Sequence, residues 1–316
     1  MVKKVGALSG IAARKRKIRT SAAYKIGMSA NYFIMVLLAI ITLYPFWYCI
    51  ILAFNSGKDA LAGGVYFIPR VFTLENFNKA FAHPLIFSSF QMTIYRVSIV
   101  VATACFLQCL LGYAFTKRDM PGRTPLIFIF YITTLFSGGA IANYVFYQQI
   151  GILNTFWVYV LPNLYSFFYI IILRTFFYTI PDSIQESARI DGASELRIFF
   201  QIMLPLSTPA IATIALFIGV SNWNDWFTGA IFVSRRRDLF TAATLLRDII
   251  AASSYESSMD ESSGILQFNQ AGVALTTTPE SLKMAFLVIL TLPIMCVYPF
   301  LQKYFVKGVM IGSIKE

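Results

Sequence analysis

The sequence predicts an all-α integral membrane protein with six membrane-spanning helices, and three observations carry that prediction. Of 316 residues, 57% are hydrophobic and only 13% are charged, against the roughly 25% charged residues of a soluble domain. The mean hydropathy is +0.66. Six nearly uncharged runs cover about 32–54, 97–115, 125–147, 156–173, 206–227 and 284–301, each close to the ~20 residues that a helix needs to cross the hydrocarbon core. Backbone groups cannot go unpaired in lipid, so runs of this length are read as helices.

Residues 1–30 form a basic arm holding Lys3, Lys4, Arg14, Lys15, Arg16, Lys17, Arg19 and Lys25, with no acidic residue. Such an arm reads as a cytoplasmic flank near anionic headgroups, in preference to a nucleic-acid contact. The first apolar run is too long for a cleavable signal peptide. Pro45, Gly112, Gly138-Gly139, Pro162, Gly219, Pro293 and Pro299 interrupt the runs at points that bend or pack closely. At Gly138-Gly139 the chain is read as either unwound or tightly packed, with close helix packing the preferred expectation. Cys49, Cys105, Cys109 and Cys296 all lie within apolar runs and read as small buried hydrophobes.

Lys and Arg set the orientation. With the N-terminus inside, the cytoplasmic parts hold the arm, Lys117, Arg118, Arg123, Arg174, Arg189, Arg197, Lys303, Lys307 and Lys315. Both termini and the polar segment 181–205 then fall in the cytoplasm, with short residues 311–316 as the tail. Two loops, 55–96 and 228–283, fall outside. The first places Arg96 outside and has room for a short amphipathic helix after Thr73. The second carries Arg235-Arg236-Arg237, and its Ser-, Asp- and Glu-rich stretch 253–263 reads as mobile. Loops this long either carry function or are solvated connectors.

The segment 181–205 stands out between two apolar runs. Ser183 and Glu186 have the Ser-x-x-Glu spacing of a capping box, which predicts a helix start near Ile184, and Pro181 and Asp182 just ahead suit a helix entry. Gly192 suits that helix's end, Ser194 the start of a second short helix, and Pro205 and Pro209 the way into the next run. A helix–Gly–helix element at a membrane surface is a docking shape rather than a catalytic one.

This segment resembles the signature of inner-membrane permease subunits of ATP-driven importers, written EAA, then G, then I-x-LP. Glu186-Ser187-Ala188, Gly192, Ile202 and Leu204-Pro205 fall at the matching positions, with Ser in place of the middle Ala. Asp191-Gly192-Ala193 resembles the carbohydrate-importer branch. Further stretches resemble permeases of the lipoprotein-associated oligosaccharide importers of Gram-positive bacteria and the alginate importer's smaller permease. They are Tyr44-Pro45-Phe46-Trp47-Tyr48, Phe72-Thr73-Leu74-Glu75-Asn76-Phe77, Phe136-Ser137-Gly138-Gly139, Arg174-Thr175-Phe176-Phe177 and Trp223-Asn224-Asp225-Trp226-Phe227. The resemblance implies the six-helix, MetI-like permease core over 31–310. It implies a second homologous permease, a dimeric cytoplasmic ATPase, an extracytoplasmic solute-binding protein and an oligosaccharide substrate, pectin- and alginate-derived chains both fitting the branch. The setting implied is a bacterial plasma membrane, with 181–205 as the coupling segment.

In that segment Glu186 either contacts the ATPase, closes its own capping box, or does both, while Ser187 replaces the usual Ala. Small Ala188 and Gly192 permit close approach to a groove. Arg189 and Asp191 either pair with partner charges or solubilise the helix, and Leu204-Pro205 fix the angle to the fifth span. Trp223, Asn224, Asp225 and Trp226 offer aromatic faces and polar groups that a sugar needs, or form an interfacial belt. Asn143, Tyr144, Tyr147 and Gln148 raise the same question. No phosphate-binding loop of the G-x-x-x-x-G-K-[ST] type is present, so no cofactor is expected on this chain and ATP–Mg is expected in the partner ATPase. The single histidine, His83, and the lack of a nucleophile–base or metal-ligand spacing argue against an enzyme. The competing classes are a same-architecture permease for a non-sugar solute and a proton-coupled secondary transporter, whose carboxylate relay would have to begin at Asp225.

Overall fold

A computed structural model describes residues 22–251, 278 and 280–296, and among them every regular element is helical. The chain divides into two compact units, Met1–Tyr48 and Cys49–Glu316. The described part of the first unit is the bulk of α1 (Ala22–Ala53), whose side chains from residue 24 to 43 are all exposed. An apolar helix of this kind suits lipid or a partner helix.

The second unit begins with an ordered connection rather than a loose loop. Helices α2 (Gly57–Leu61) and α3 (Glu75–Phe81) are arranged about two buried amides. Asn76 Nδ2 donates to the carbonyls of Ala53 and Asn55, both at 2.9 Å. Asn55 Oδ1 accepts from Val71 N at 3.0 Å. Thr73 Oγ1 accepts from Glu75 N at 3.1 Å, so the short helix expected after Thr73 is present.

α4 (Ile86–Ala114) is the central element. At 1.5 Å per residue its 29 residues reach about 43 Å, longer than the ~30 Å hydrocarbon core. It begins at Ile86 rather than near residue 97, so the segment 86–96 is not loop. Arg96, its lone charge, is buried inside the helix bundle instead of standing in an outer loop. The local pattern missed this because the countercharge, Asp225, comes from far along the chain.

The third apolar run is two helices, α5 (Arg123–Leu135) and α6 (Gly139–Gln149), bent by 120°. Gly139 has φ +75°, and a Cβ there would meet nothing within 4 Å. Gly138-Gly139 is therefore the unwound point of the two readings rather than the preferred close packing between helices: left-handed backbone is needed at Gly139, and a Cβ on Gly138 would meet only Ala142 Cβ of the adjoining helix, at 3.0 Å. The fourth run is α7 (Trp157–Val160), a 3₁₀ turn (Leu161–Asn163) and α8 (Phe167–Phe177), bent by 48°. Here the close packing is at Gly112, where a Cβ would lie 3.2 Å from Leu173 Cβ and 3.3 Å from the Ile170 carbonyl. Substitution there would push α4 off α8.

α9 (Asp182–Ile190) and α10 (Glu195–Ile198) are followed by a π-helical turn (Phe199–Met203) and α11 (Leu204–Leu206). Then comes α12 (Thr208–Asn224), turned by 79° from the 195–206 arm. Pro205 and Pro209 lack the N–H groups that would continue a straight ladder. Thr208 Oγ1 instead donates to the Pro205 carbonyl at 2.8 Å. Beyond lie α13 (Phe227–Phe232), α14 over 242–251 and α15 over 280–296. α4 packs against both α8 and α12, and their shared core includes Cys109, Leu173, Phe177, Ile198, Phe199 and Ile214. Cys105 and Cys109 are buried as expected, whereas Cys49 is half-buried and Cys296 exposed. The basic arm as far as residue 21, the stretch 253–263, Pro299 and the C-terminal lysines lie outside the described residues.

Candidate functional site: segment 181–205 and the Arg96–Asp225 end

The 181–205 segment has a two-sided build. α9 starts at Asp182 with Pro181 as N-cap and no side-chain capping bond, so the Ser183–Glu186 capping box does not form. Pro181 has already turned the chain into the helix, and Ser183 lies inside it. Asp182 in the first turn complements the helix dipole. At the other end Gly192 has φ +78°. Its N–H reaches the Arg189 carbonyl at 3.0 Å, and Ala193 N reaches the Ala188 carbonyl at 2.9 Å. These two bonds are a Schellman motif. Ser194 then caps α10 as expected, accepting from Arg197 N at 3.3 Å.

One face of this unit is anchored. Ala188, Ala193, Ile202 and Leu204 pack on the core of α4, α8 and α12, where Ile198, Phe199 and Met203 are fully buried. Glu195 anchors this face through its carboxylate. Its carboxylate accepts from Tyr113 Oη at 2.6 Å and Arg189 Nε at 2.8 Å, and Lys117 Nζ stands 2.8 Å away. Lys117 also donates to Gln185 Oε1 at 2.8 Å. Burial alone would raise the Glu195 carboxyl, but the three donors outweigh it and hold the group down at about 2. Glu195 thus ties α10 to α9 and to the end of α4. Nothing in the local pattern singled it out.

The other face is open. Glu186, Ser187, Arg189, Asp191, Gly192 and Pro205 are exposed. Among the described residues the Glu186 side chain has no hydrogen bond. Ile190 and Leu196, 86% and 63% exposed, add an apolar surface next to it. Arg189 is turned towards Glu195 rather than outward.

At the opposite end of α4 and α12 lies the second constellation. Arg96, fully buried, pairs with Asp225 Oδ2 and donates to Asn222 Oδ1 at 3.1 Å. Its guanidinium also sits 4.5 Å from the Tyr159 ring centroid. Asp225 Oδ1 accepts from Thr228 N at 3.1 Å, so both carboxylate oxygens are engaged. Trp223 turns inward, Nε1 donating to the Leu290 carbonyl at 3.3 Å. Trp226 is exposed and joins an aromatic chain through Phe227 and Phe232 to Tyr147, with successive centroids 5.9, 6.1 and 5.1 Å apart. Tyr144 stacks on Phe232 at 6.2 Å, while Asn143 is exposed on α6. The structure therefore links Tyr144 and Tyr147 to Trp226 only through Phe232 and Phe227, and commits Asp225 and Trp223 to internal bonds.

Between α4, the α7–α8 break and α12 is a polar recess of about 90 Å³, lined by Gln108, Asn163, Ser166, Ser221 and Asn222 among others. Gln108 Oε1 is buried there with no hydrogen-bond partner among the described residues. Polar groups at this depth belong to a cavity or a partner interface rather than lipid. Among the described residues no cluster of His, Cys, Asp and Glu is arranged to hold a metal.

Comparison with known proteins fits this architecture. A family model described as "Binding-protein-dependent transport system inner membrane component" matches residues 6–311. The chain is 35% identical over 284 residues to the polygalacturonan/rhamnogalacturonan transport system permease protein YtcP of Bacillus subtilis, covering 90% of this chain and 96% of that one. It is 35% identical over 276 residues to Protein LplC of the same organism, covering 87% and 90% of the two chains. Among solved structures, a chain of a bacterial ABC transporter involved in the import of the acidic polysaccharide alginate superimposes with TM-score 0.78 at 26% identity, over 90% of this chain and 99% of that chain. With such a match along nearly its whole length, the chain belongs to the binding-protein-dependent transport system inner membrane components, the non-catalytic permease subunits of ABC importers.

Proposed function

We propose that this chain carries oligosaccharides of the acidic, pectin- or alginate-derived class across a bacterial plasma membrane, coupled to a separate ATPase through 181–205. The observation that carries the coupling half is the two-sided build of that segment. Its inner face is locked to α4 and α12, while Glu186, Ile190 and Leu196 stand outward. An ATPase groove would take the apolar pair and meet the charge of Glu186. The substrate half rests on the relatives named above, together with the aromatic chain and polar recess on the membrane-spanning part.

In this reading both termini and α9–α10 face the cytoplasm, and a second homologous permease completes the path. A dimeric ATPase holds ATP–Mg, and an extracytoplasmic binding protein delivers the sugar. ATP binding draws the coupling elements together, and the rigid α9–α10–α4 connection passes that motion to spans that close inward and open outward. ATP and the loaded binding protein must both favour the outward state for coupling to follow. Proton coupling finds little support, since Asp225, the carboxylate such a relay would use, is held by Arg96 and Thr228.

The test is ATP hydrolysis by the assembled complex in lipid, with and without loaded binding protein. Glu186→Lys and Ile190→Asp are expected to abolish stimulation while the chain still inserts. Stimulation that survives both changes would remove the coupling role. Stimulation by a loaded non-sugar receptor alone would leave the architecture and replace the substrate.

A further inference from the structure

At the end of α12 remote from α9 and α10, a recess of about 230 Å³ opens beside Trp226. Its walls are Ala243, Leu246 and Leu290, with Asn224 and Arg247 as the polar members besides the indole. Pockets for drug-sized ligands run to ~300–1,000 Å³, so this one suits a single sugar ring rather than a chain.

Its geometry is fixed by the fold. Thr241 Oγ1 accepts from Thr244 N at 3.3 Å at the start of α14, and Ala242 N donates to Thr93 Oγ1 of α4 at 2.9 Å. Thr244 Oγ1 donates to the Trp226 carbonyl at 3.3 Å. Gly229 allows this approach, because a Cβ there would fall 3.0 Å from Thr244 Cβ and 2.9 Å from Tyr159 Oη. α13 and α14 therefore hold Trp226 and Arg247 in fixed relation, the guanidinium carbon 5.7 Å from the indole centroid.

We propose that this recess is a subsite for a carboxylated sugar, with Arg247 as the residue that reads the carboxylate. The proposal deepens the acidic-oligosaccharide reading above and rests on it. Arg presents a planar fork that matches a carboxylate bidentately. Among the described residues its one ion pair is with its neighbour Asp248, at 3.3 Å on the surface, where such pairs contribute little and a ligand carboxylate can replace them. A uronate bound to Arg247 brings its ring against Trp226, whose face suits sugar C–H groups. Asn224, exposed and without a side-chain hydrogen bond among the described residues, is then in place for a ring hydroxyl. The apolar wall of Leu246 and Leu290 covers the other side. A neutral sugar would leave the guanidinium unmatched.

The experiment titrates the assembled permease–ATPase complex in nanodiscs, without binding protein, with trigalacturonate and separately with neutral galactotriose, following tryptophan fluorescence. Uptake of both into proteoliposomes with their binding protein is measured in parallel. Saturable quenching by trigalacturonate is expected, weakened about tenfold by Arg247→Gln, roughly one charge-assisted hydrogen bond. It should be weakened less by Arg247→Lys, and the signal should vanish in Trp226→Phe. In uptake, Arg247→Gln should raise the half-saturating trigalacturonate concentration and leave galactotriose unaffected. If wild type imports trigalacturonate and Arg247→Gln changes neither binding nor uptake, the subsite is wrong and the acidic-oligosaccharide reading stands. If wild type imports galactotriose and not trigalacturonate, that reading fails and the subsite with it.

Discussion

Glu195 shows how much one side chain can hold in place. Three donors from α4, the turn after it and α9 converge on its carboxylate. Its pKa is depressed to about 2 against an ordinary 4.5. A depressed carboxyl contributes stability that is fully present above the unfolded value and is lost as pH falls through the folded one. The window here runs from 4.5 down to about 2. Because the side chain is half exposed, the pairs are screened, and Glu195→Gln should lower stability at neutral pH by about 1 kcal/mol. Thermal melts of wild type and variant at pH 7 and pH 3 check this: the gap should narrow at the lower pH. An equal gap at both would mean that the charge is not what stabilises the joint. The same variant should weaken receptor-stimulated ATP hydrolysis, since α9 and α10 would move without α4.

At the scale of elements, Gly192 sets the turn between α9 and α10, the segment proposed above to couple to the ATPase. A Cβ there meets nothing within 4 Å, yet φ is +78°, so the constraint is backbone conformation alone. Left-handed backbone costs about 1–2 kcal/mol for an ordinary residue, is tolerated by Asn, and is a true outlier for a β-branched one. Gly192→Asn should therefore keep most of the stimulated ATPase activity and Gly192→Val lose most of it. Equal activity of the two would show that glycine serves clearance of the partner rather than the turn. This element was legible in the sequence because its signals are local: Gly192, Ser194, Pro205 and Pro209 each act on their own neighbours. Pro181 and Asp182 marked the helix entry correctly, and only the capping box failed, because Pro181 had already begun the helix and left Ser183 inside it. The break at Gly138-Gly139 was visible as two glycines, but not its 120° turn, which depends on how α5 and α6 pack. The start of α4 was hidden for a different reason. Arg96 looks like a loop charge until Asp225, 129 residues away, neutralises it, and no window of sequence contains both. Gln108 and Arg247 were missed likewise, since each matters only through the recess that distant helices form around it.

For the whole molecule, α4 is the member that reaches both working ends. At one end Tyr113 and the following Lys117 grip Glu195 beside α9. At the other, Arg96 grips Asp225 and Asn222 on α12, close to Trp226. A helix of about 43 Å, packed along both α8 and α12, transmits a displacement imposed at either end only while both grips hold. Removing one partner of a buried pair costs about 3–5 kcal/mol, because the remaining charge is left uncompensated, whereas replacing both by apolar or neutral groups is far milder. Arg96→Met and Asp225→Asn should each lower the thermal stability of the complex sharply, and the double variant should recover part of the loss, a coupling that a double-mutant cycle measures. The informative readout is at the far end. If α4 couples the two ends, the stable double variant should still hydrolyse ATP, yet show reduced stimulation by the loaded binding protein, although neither change touches α9 or α10. Full stimulation in the double variant would confine the Arg96–Asp225 pair to stability and return the transmission to α12 alone, through the 79° turn at Ser207.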